Sequence, residues 1–268
     1  MALTIIVPVY NAAELLARCL EALDSCTPPA APILVIDDAS SDAQVAPMLS
    51  TWARSTPLAA TILSNPRNLG FVATVNRGMR EAGTSDVVLL NSDTEATPGW
   101  YERMQRALAQ KRVATATPFS NHAEICSWPV FVRRNEIPQD KNQIAAAFAR
   151  QAPQYPELPT AVGFCMGIAR AALDAIGDFD AATFGRGYGE ENDFCCRARG
   201  HGWRNVLVDD AYVVHAGGGS FGPLGLGPGG ENLQRLLARY PHYAREVADF
   251  ISADPLRETR ERVRDSLR

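Results

Sequence analysis

This chain has very little lysine. Its 26 basic residues include only Lys111 and Lys141 as lysines, and 30 acids outnumber them, giving a formal net charge of −4. No basic patch stands out, which argues against a nucleic-acid partner. No apolar run approaches the roughly 18 residues that a membrane span needs. The N-terminus lacks a basic leader region and already reads as a strand, so no signal peptide is expected. The six cysteines, Cys19, Cys26, Cys126, Cys165, Cys195 and Cys196, form no C-x-x-C pair. Reduced thiols in a cytosolic protein fit that usage best. There is no G-x-x-x-x-G-K-[ST] loop for a nucleoside triphosphatase, and no repeat of fixed period.

What remains is a chain of 268 residues, 46% of them hydrophobic, enough for one large core or two unequal lobes. Its organising stretch runs from Val87 to Glu95. Four apolar residues, Val87 to Leu90, read as a strand buried on both faces, and Asn91-Ser92-Asp93-Thr94-Glu95 follow where the strand ends. In an open α/β sheet, ligands bind beyond the carboxyl ends of the strands. A carboxylate at Asp93 is therefore placed to hold a cation or a ligand hydroxyl.

The flanking pattern agrees. Strands are expected at Leu3–Val7 (stopped by Pro8), Ile33–Ile36, Thr61–Leu63, 113–117, 162–169, 204–208 and 212–215. Helices are expected at 12–24 (with Asn11 and Glu14 as a capping-box-like pair), around Val45 to Trp52, at 71–82, from Thr97-Pro98 to about Lys111, at 142–151, to Ile176, from Tyr188 onward, at 231–239 and in the final segment from Leu256. Strands alternating with helices at this spacing mean βαβ units and a largely parallel sheet. Residues 118–160 break the pattern and read as an insertion or lid. Gly217 to Gly230 hold eight glycines in fourteen residues. Gly217, Gly219 and Gly222 match G-x-G-x-x-G, but Pro223, Gly225 and Pro228 follow, so no helix receives a pyrophosphate; a mobile closing loop is the expectation.

Several residues then stand out. Asp37 and Asp38 follow the second strand, where a carboxylate can accept hydrogen bonds from a base or ribose. Arg67 and Asn68 precede Gly70 on a loop; an arginine there can pair with a diphosphate. Asp93 and His215 both end strands, and a carboxylate with an imidazole can bind Mg²⁺ or Mn²⁺ together with ligand phosphates. Glu190, Glu191 and Asp193 crowd three carboxylates into four residues. Asp193 has Arg197 at i+4. Glu190 and Glu191 have no such partner, and crowding raises carboxyl pKa values, which suits a general base.

Taken together, Ile6-Val7-Pro8-Val9-Tyr10-Asn11, Ile36 to Ser40, Asn65 to Phe71, Leu89 to Glu95, Gly187 to Arg199 and Val214 to Gly218 resemble, in order, the motifs of the family 2 glycosyltransferases, enzymes of the GT-A fold. The resemblance implies an α/β domain over residues 1–222, with a nucleotide-sugar half (1–117) and an acceptor and catalytic half (118–222), followed by a loop and C-terminal helices (223–268). It implies an inverting enzyme that uses a nucleotide-diphosphate sugar, UDP- or dTDP-linked, and Mn²⁺ or Mg²⁺. Pro8, Tyr10, Asn11, Asp38, Arg67, Asn68, Gly70, Asn76, Asn91, Ser92 and Asp93 would form the donor site. Asp93 and His215 would hold the metal, and Glu191 would be the catalytic base. Trp100 and residues 118–160 would shape the acceptor side.

Two departures qualify the match. The usual D-x-D reads Asn91-Ser92-Asp93, so its first carboxylate is missing, and the base is Glu where Asp is commoner. Two other readings stay open. One is a non-catalytic sugar- or nucleotide-binding relative of the same fold. The other is a sugar nucleotidyltransferase, which normally needs a glycine-rich basic loop where this chain has Pro8-Val9-Tyr10-Asn11. The expected acceptor is a glycan or lipid-linked hydroxyl, as in bacterial surface polysaccharide synthesis. The expected location is cytoplasmic, with the final Arg-rich helix solvated on the domain or resting on an inner-membrane surface or a second copy.

Overall fold

The computed structural model describes residues 2–217 and 230–268. The first half alternates strictly: β1 (Leu3–Val9), α1 (Ala13–Cys26), β2 (Pro32–Asp37), α2 (Val45–Ser55), β3 (Ala59–Ser64), α3 (Phe71–Glu81) and β4 (Asp86–Leu90). A two-residue strand β5 (Thr94–Glu95), α4 (Trp100–Leu108) and β6 (Val113–Phe119) follow. Next come a 3₁₀ turn (Glu124–Cys126), α5 (Lys141–Ala149), β7 (Cys165–Ile168), α6 (Arg170–Ile176), α7 (Ala181–Phe184) and α8 (Glu190–Gly200). Then β8 (Arg204–Tyr212), β9 (Val214–His215), α9 (Glu231–Arg239), α10 (Tyr243–Ala253) and α11 (Arg257–Asp265) complete the order.

Among the described residues, seven strands form one sheet in the order β3-β2-β1-β4-β7-β6-β8, and β5 pairs with β9. All pairings in the large sheet are parallel except those of β7, which runs antiparallel to β4 and β6. The expected mostly parallel α/β architecture is therefore the one observed. β4 lies at the centre and is buried along its whole length. Its side chains alternate between two cores, Val88 and Leu90 in one, Val87 and Leu89 in the other, as a strand covered on both faces requires.

Several local expectations are corrected. Pro8 does not stop β1; it pairs in register with Ile36. Pairing of β1 with β4 ends at Ile6 and Leu89, so the missing amide of Pro8 falls where no ladder bond is needed. Asn11 and Glu14 form no capping box, since α1 has no side-chain cap. Asn11 Oδ1 instead accepts from the amides of Ser41 (2.8 Å) and Asp42 (2.9 Å) and secures the loop after β2. Thr97 does not cap α4; its hydroxyl donates to the Tyr212 carbonyl. Trp100 is fully buried and donates to Thr27 Oγ1 at 3.2 Å, so it is a core residue and not part of an acceptor surface. The two strands expected at 204–208 and 212–215 are both present, with the boundary shifted so that β8 runs to Tyr212 and β9 is only Val214–His215. Helix α10 was not anticipated.

The 118–160 insertion is only partly a lid. Trp128 and Phe148 pack with Phe119 and Tyr212 into the main core. The last helix closes over them: Leu256 and Val263 are buried, and the Trp128 indole N–H donates to the Arg260 carbonyl at 3.3 Å. Its other arginines pair with local acids, Arg257 with Asp254, Arg262 with Glu258, Arg264 with Glu261 and Arg268 with Asp265. The expected glycine-rich closing loop lies, apart from Gly217 and Gly230, outside the described residues.

One glycine fixes how closely α3 approaches the sheet. A Cβ on Gly78 would lie 2.6 Å from Ile6 Cγ2 and 3.0 Å from Ile36 Cδ1. Alanine at a helix interior gains about 1 kcal/mol in propensity, while overpacking costs about 1–3 kcal/mol. Gly78→Ala is therefore expected to lower unfolding stability by on the order of 1 kcal/mol, read from the urea midpoint; a gain in stability would contradict this packing.

Candidate active site

Parallel strands deliver their carboxyl ends to one edge, and there a cleft of about 590 Å³ opens. The ends of β1 and β2 supply Pro8, Tyr10 and Asp38, the loop before α3 supplies Asn68 and Gly70, and the end of β4 supplies Asn91, Ser92 and Asp93. His215 arrives from β9 and Glu191 from the first turn of α8. Ten of the residues expected from the sequence thus line one cavity, although they are spread over more than 200 positions.

The ladder between β5 and β9 joins Asp93 to His215. Thr94 pairs with His215, and the Ala216 amide donates to the Asp93 carbonyl at 2.9 Å. His215 Nε2 then lies 3.4 Å from Asp93 Oδ1. Nδ1 lies 2.7 Å from the His122 carbonyl, an acceptor, so Nδ1 carries the proton and donates. In the neutral ring Nε2 then offers its lone pair toward the Asp93 carboxylate. Two lone-pair donors facing each other call for a proton or a cation between them, and a backbone carbonyl behind a histidine is a common way to orient a metal ligand. The ring is fixed further by stacking, with His122 on one face and Phe164 on the other, each 5.1 Å away. Among the described residues no three His, Cys, Asp or Glu side chains converge as a metal cluster. This chain therefore offers one carboxylate and one imidazole, a donor set suited to a cation whose remaining ligands come from elsewhere.

Across the cleft, the turn into α8 places Glu190 and Glu191. Gly187, Tyr188 and Gly189 all have positive φ (138°, 69° and 103°), a sequence of conformations that favours glycine at the outer two positions. The two carboxyl groups contact each other, and Oε2 of each is buried without a hydrogen-bond partner. Burial, then the neighbouring Glu191, pushes the Glu190 carboxyl well above the ordinary range. Burial, and after it the charge of Glu124, raises Glu191. The helix partner expected for Asp193 is present: Arg197 Nε donates to it at 2.8 Å. Arg239 and Tyr240 bind its other oxygen at 2.6 and 3.0 Å, so Asp193 ties α9 to α8.

The half expected to hold the nucleotide is tightly constrained. Asp38 Oδ1 accepts from Asn65 Nδ2 (2.7 Å) and the Leu69 amide (2.8 Å), and Oδ2 accepts from the Gly70 amide (2.8 Å). Its carboxylate thus holds the 65–70 loop while also facing the cleft. Three expected residues do not line the cavity. Arg67 is exposed outside it, because the Asp38 bonds fix the loop at Asn65, Leu69 and Gly70. Asn11 is occupied with Ser41 and Asp42. Asn76 is buried and exchanges hydrogen bonds with the Phe179 backbone, donating at 2.8 Å and accepting at 3.1 Å. The arginines on the wall are Arg134 and Arg186, and Arg186 donates to Asn68. His122, Phe164, Tyr188, Arg134 and Arg186 were all missed. Tyr188 lies within the Gly187–Arg199 motif and Arg186 directly before it, and Phe164 falls in the strand expected at 162–169, whereas His122 and Arg134 come from the irregular segment 118–160.

Comparison with known proteins follows this geometry. The family model described as Glycosyl transferase family 2 matches residues 4–177. An uncharacterized protein of Mycobacterium tuberculosis is 29% identical over 154 residues, 56% of this chain and 55% of its own length. The chain thus spans about half the length of the curated relatives it matches. In structure, mannosyltransferase PcManGT from Pyrobaculum calidifontis, in complex with GDP-Man and Mn²⁺, superposes with TM-score 0.60 at 17% identity, covering 99% of this chain and 74% of that one. GalNAc-T7 with UDP, GalNAc and Mn²⁺ gives TM-score 0.67 at 15% identity, covering 98% and 55%.

The buried acid pair has a pH consequence. A carboxyl raised in the folded state keeps its contribution below the unfolded value and loses it as pH rises through the folded value. Glu190→Gln removes that loss. It is expected to raise the melting temperature near about pH 8, with the difference closing below about pH 4, where unfolded carboxyls are also protonated. Equal melting temperatures across that range would show that Glu190 is not raised.

Proposed function

This chain belongs to glycosyl transferase family 2, and we propose that it transfers a hexose, with inversion, from a UDP- or dTDP-sugar to a hydroxyl of a glycan or lipid-linked acceptor. The observation that carries this reading is one cleft lined both by Glu191 and by the Asp93–His215 pair. Glu191 is the base. Its raised pKa gives it proton affinity, and its unpaired oxygen has no competing protein donor. It takes the proton of the acceptor hydroxyl, and that oxygen attacks the anomeric carbon from the face opposite the diphosphate.

Asp93 and His215 are the residues that would hold Mn²⁺ or Mg²⁺, which when bound offsets charge on the leaving diphosphate. Arg186, beside Asn68 on the cleft wall, takes the role that the sequence reading gave to Arg67. Pro8, Tyr10, Asp38, Gly70, Asn91 and Ser92 shape the donor pocket. Asn91 lines the cleft where the family pattern has a carboxylate. Its amide can bond a ribose or sugar hydroxyl but adds no charge, so a cation would be held by one acid and one imidazole. No helix among the described residues is long and apolar enough to cross a membrane. A cytoplasmic enzyme of bacterial surface polysaccharide synthesis, working at or near the inner membrane, fits these features.

Titration calorimetry with UDP, dTDP, GDP, CDP and ADP, each with and without Mn²⁺, tests the donor site. One nucleotide is expected to bind more tightly with metal, and Asp93→Ala or His215→Ala to remove that increment. Absence of binding to all five would favour the non-catalytic reading. Glu191→Gln is expected to keep nucleotide binding and to lose transfer by about 10²–10⁴-fold; full activity would remove Glu191 from the mechanism. Because the Glu124 charge raises Glu191, Glu124→Gln should move the acidic limb of the pH–rate profile to lower pH. A limb that stays in place would mean that Glu124 does not act on the base.

A further inference from the structure

The wall of the cleft beyond Glu191 is aliphatic, and the proposed reaction as stated does not use it. Leu233 and Leu236 of α9 and Tyr243 and Val247 of α10 line it. Leu233 is one of four large hydrophobic residues among those described that stay exposed, at 37%. Helix α10 carries Tyr243, Val247, Phe250 and Ile251 on one stripe but contains no fully buried residue. Phe250 and Ile251 pack against the main core, whereas Tyr243 and Val247 turn to the cleft. The stripe is thus covered by protein at one end and open to the site at the other.

This wall is held in register with the base. Asn232 Nδ2 donates to the carbonyls of Phe184 (2.9 Å) and Gly187 (2.8 Å), in the segment that leads into α8. Arg239 binds Asp193 on α8 itself. Tyr243 lies near Thr160, whose hydroxyl accepts from Asn192 Nδ2 at 2.8 Å, next to Glu191. Both helices lie beyond residue 177, where the family match ends.

A free sugar is hydroxylated all round, and placing it against leucine and valine removes water from its hydroxyls without replacing their hydrogen bonds. Apolar ligand surface gains from the same contact. We propose that the α9–α10 wall is an acceptor subsite for an apolar aglycone, so that the acceptor presents its hydroxyl on a sugar joined to an alkyl or aryl group. This rests on the reading of Glu191 as the base and adds the class of acceptor to it.

The test is calorimetric titration of the full chain with n-octyl, 4-nitrophenyl and methyl β-D-glucoside, at submicellar concentration and with UDP and Mn²⁺ present. The octyl or nitrophenyl glucoside is expected to bind at least about tenfold more tightly than the methyl glucoside, the effect of covering about two methylenes, and which of the two prevails separates an alkyl from an aryl source. Leu233→Ser with Val247→Ser should abolish that preference, with thermal melting reporting that the variant folds. The conservative pair Leu233→Met with Val247→Ile should retain it. Equal binding of all three glucosides, or a preference that survives the serine pair, overturns the subsite. The nucleotide titration separates the two readings. A chain that binds UDP but treats the glucosides alike loses only this inference. One that binds no nucleotide loses the donor site, and with it the assignment of the wall to an acceptor.

Discussion

The two-residue ladder between Thr94-Glu95 and Val214-His215 is the contact on which the site depends. It is too short to be stable alone, so it exists because β4 and β8 are already fixed in the large sheet on either side of it. Once formed, it sets Asp93 against His215 and brings the His122 carbonyl to the imidazole. A sheet supplies rigidity at its strand ends and leaves the residues just past them free to carry chemistry, which is why this edge holds nearly every polar group of the cleft.

Electrostatics sets the second constraint. Asp93, Glu124, Glu190 and Glu191 share one cavity, and Arg134 and Arg186 are the arginines on its wall. The carboxyl groups of Glu190 and Glu191 are raised above the ordinary range by burial and by neighbouring acids, and Asp93 lies against an imidazole. Glu95 shows the contrasting solution a few residues away: burial alone would raise it, but Lys141 and Arg18 hold it below the usual range. It serves structure, while Glu190 and Glu191 have no lysine or arginine bound to them among the contacts described.

The C-terminal helices turn the cleft from a nucleotide pocket into a two-sided site. Asp193 is the hinge of this arrangement, fully buried and bonded by Arg197, Arg239 and Tyr240 from two helices. Through it the position of α9 follows that of the acid pair. Variation in this wall of the cleft can therefore be carried by helices that pack on α8 without disturbing the strand ends.

Much of the fold was legible in the sequence because burial writes periodicity into it. The run Val87 to Leu90 is apolar on both faces because both faces are covered, and the helices between strands carry single apolar stripes. Motif residues at strand ends, Asp38, Asp93 and His215, were legible because a polar residue directly after a buried strand has few structural uses, and Glu191 because it stands beside a second acid at a helix start. Pro8 and Asn11 misled because a lost ladder bond and a cap are judged locally, whereas a neighbouring strand's end and a distant loop decided them. Trp100 and Asn76 misled in the same way, being claimed by Thr27 and by the Phe179 backbone. The sequence by itself determined the alternating α/β order and the residues able to do chemistry, since both depend on neighbours along the chain. Only the tertiary structure decided which of them meet, that Arg186 and not Arg67 lines the cleft, and that His122 and Phe164 hold His215, because those contacts join segments whose separation no local pattern encodes.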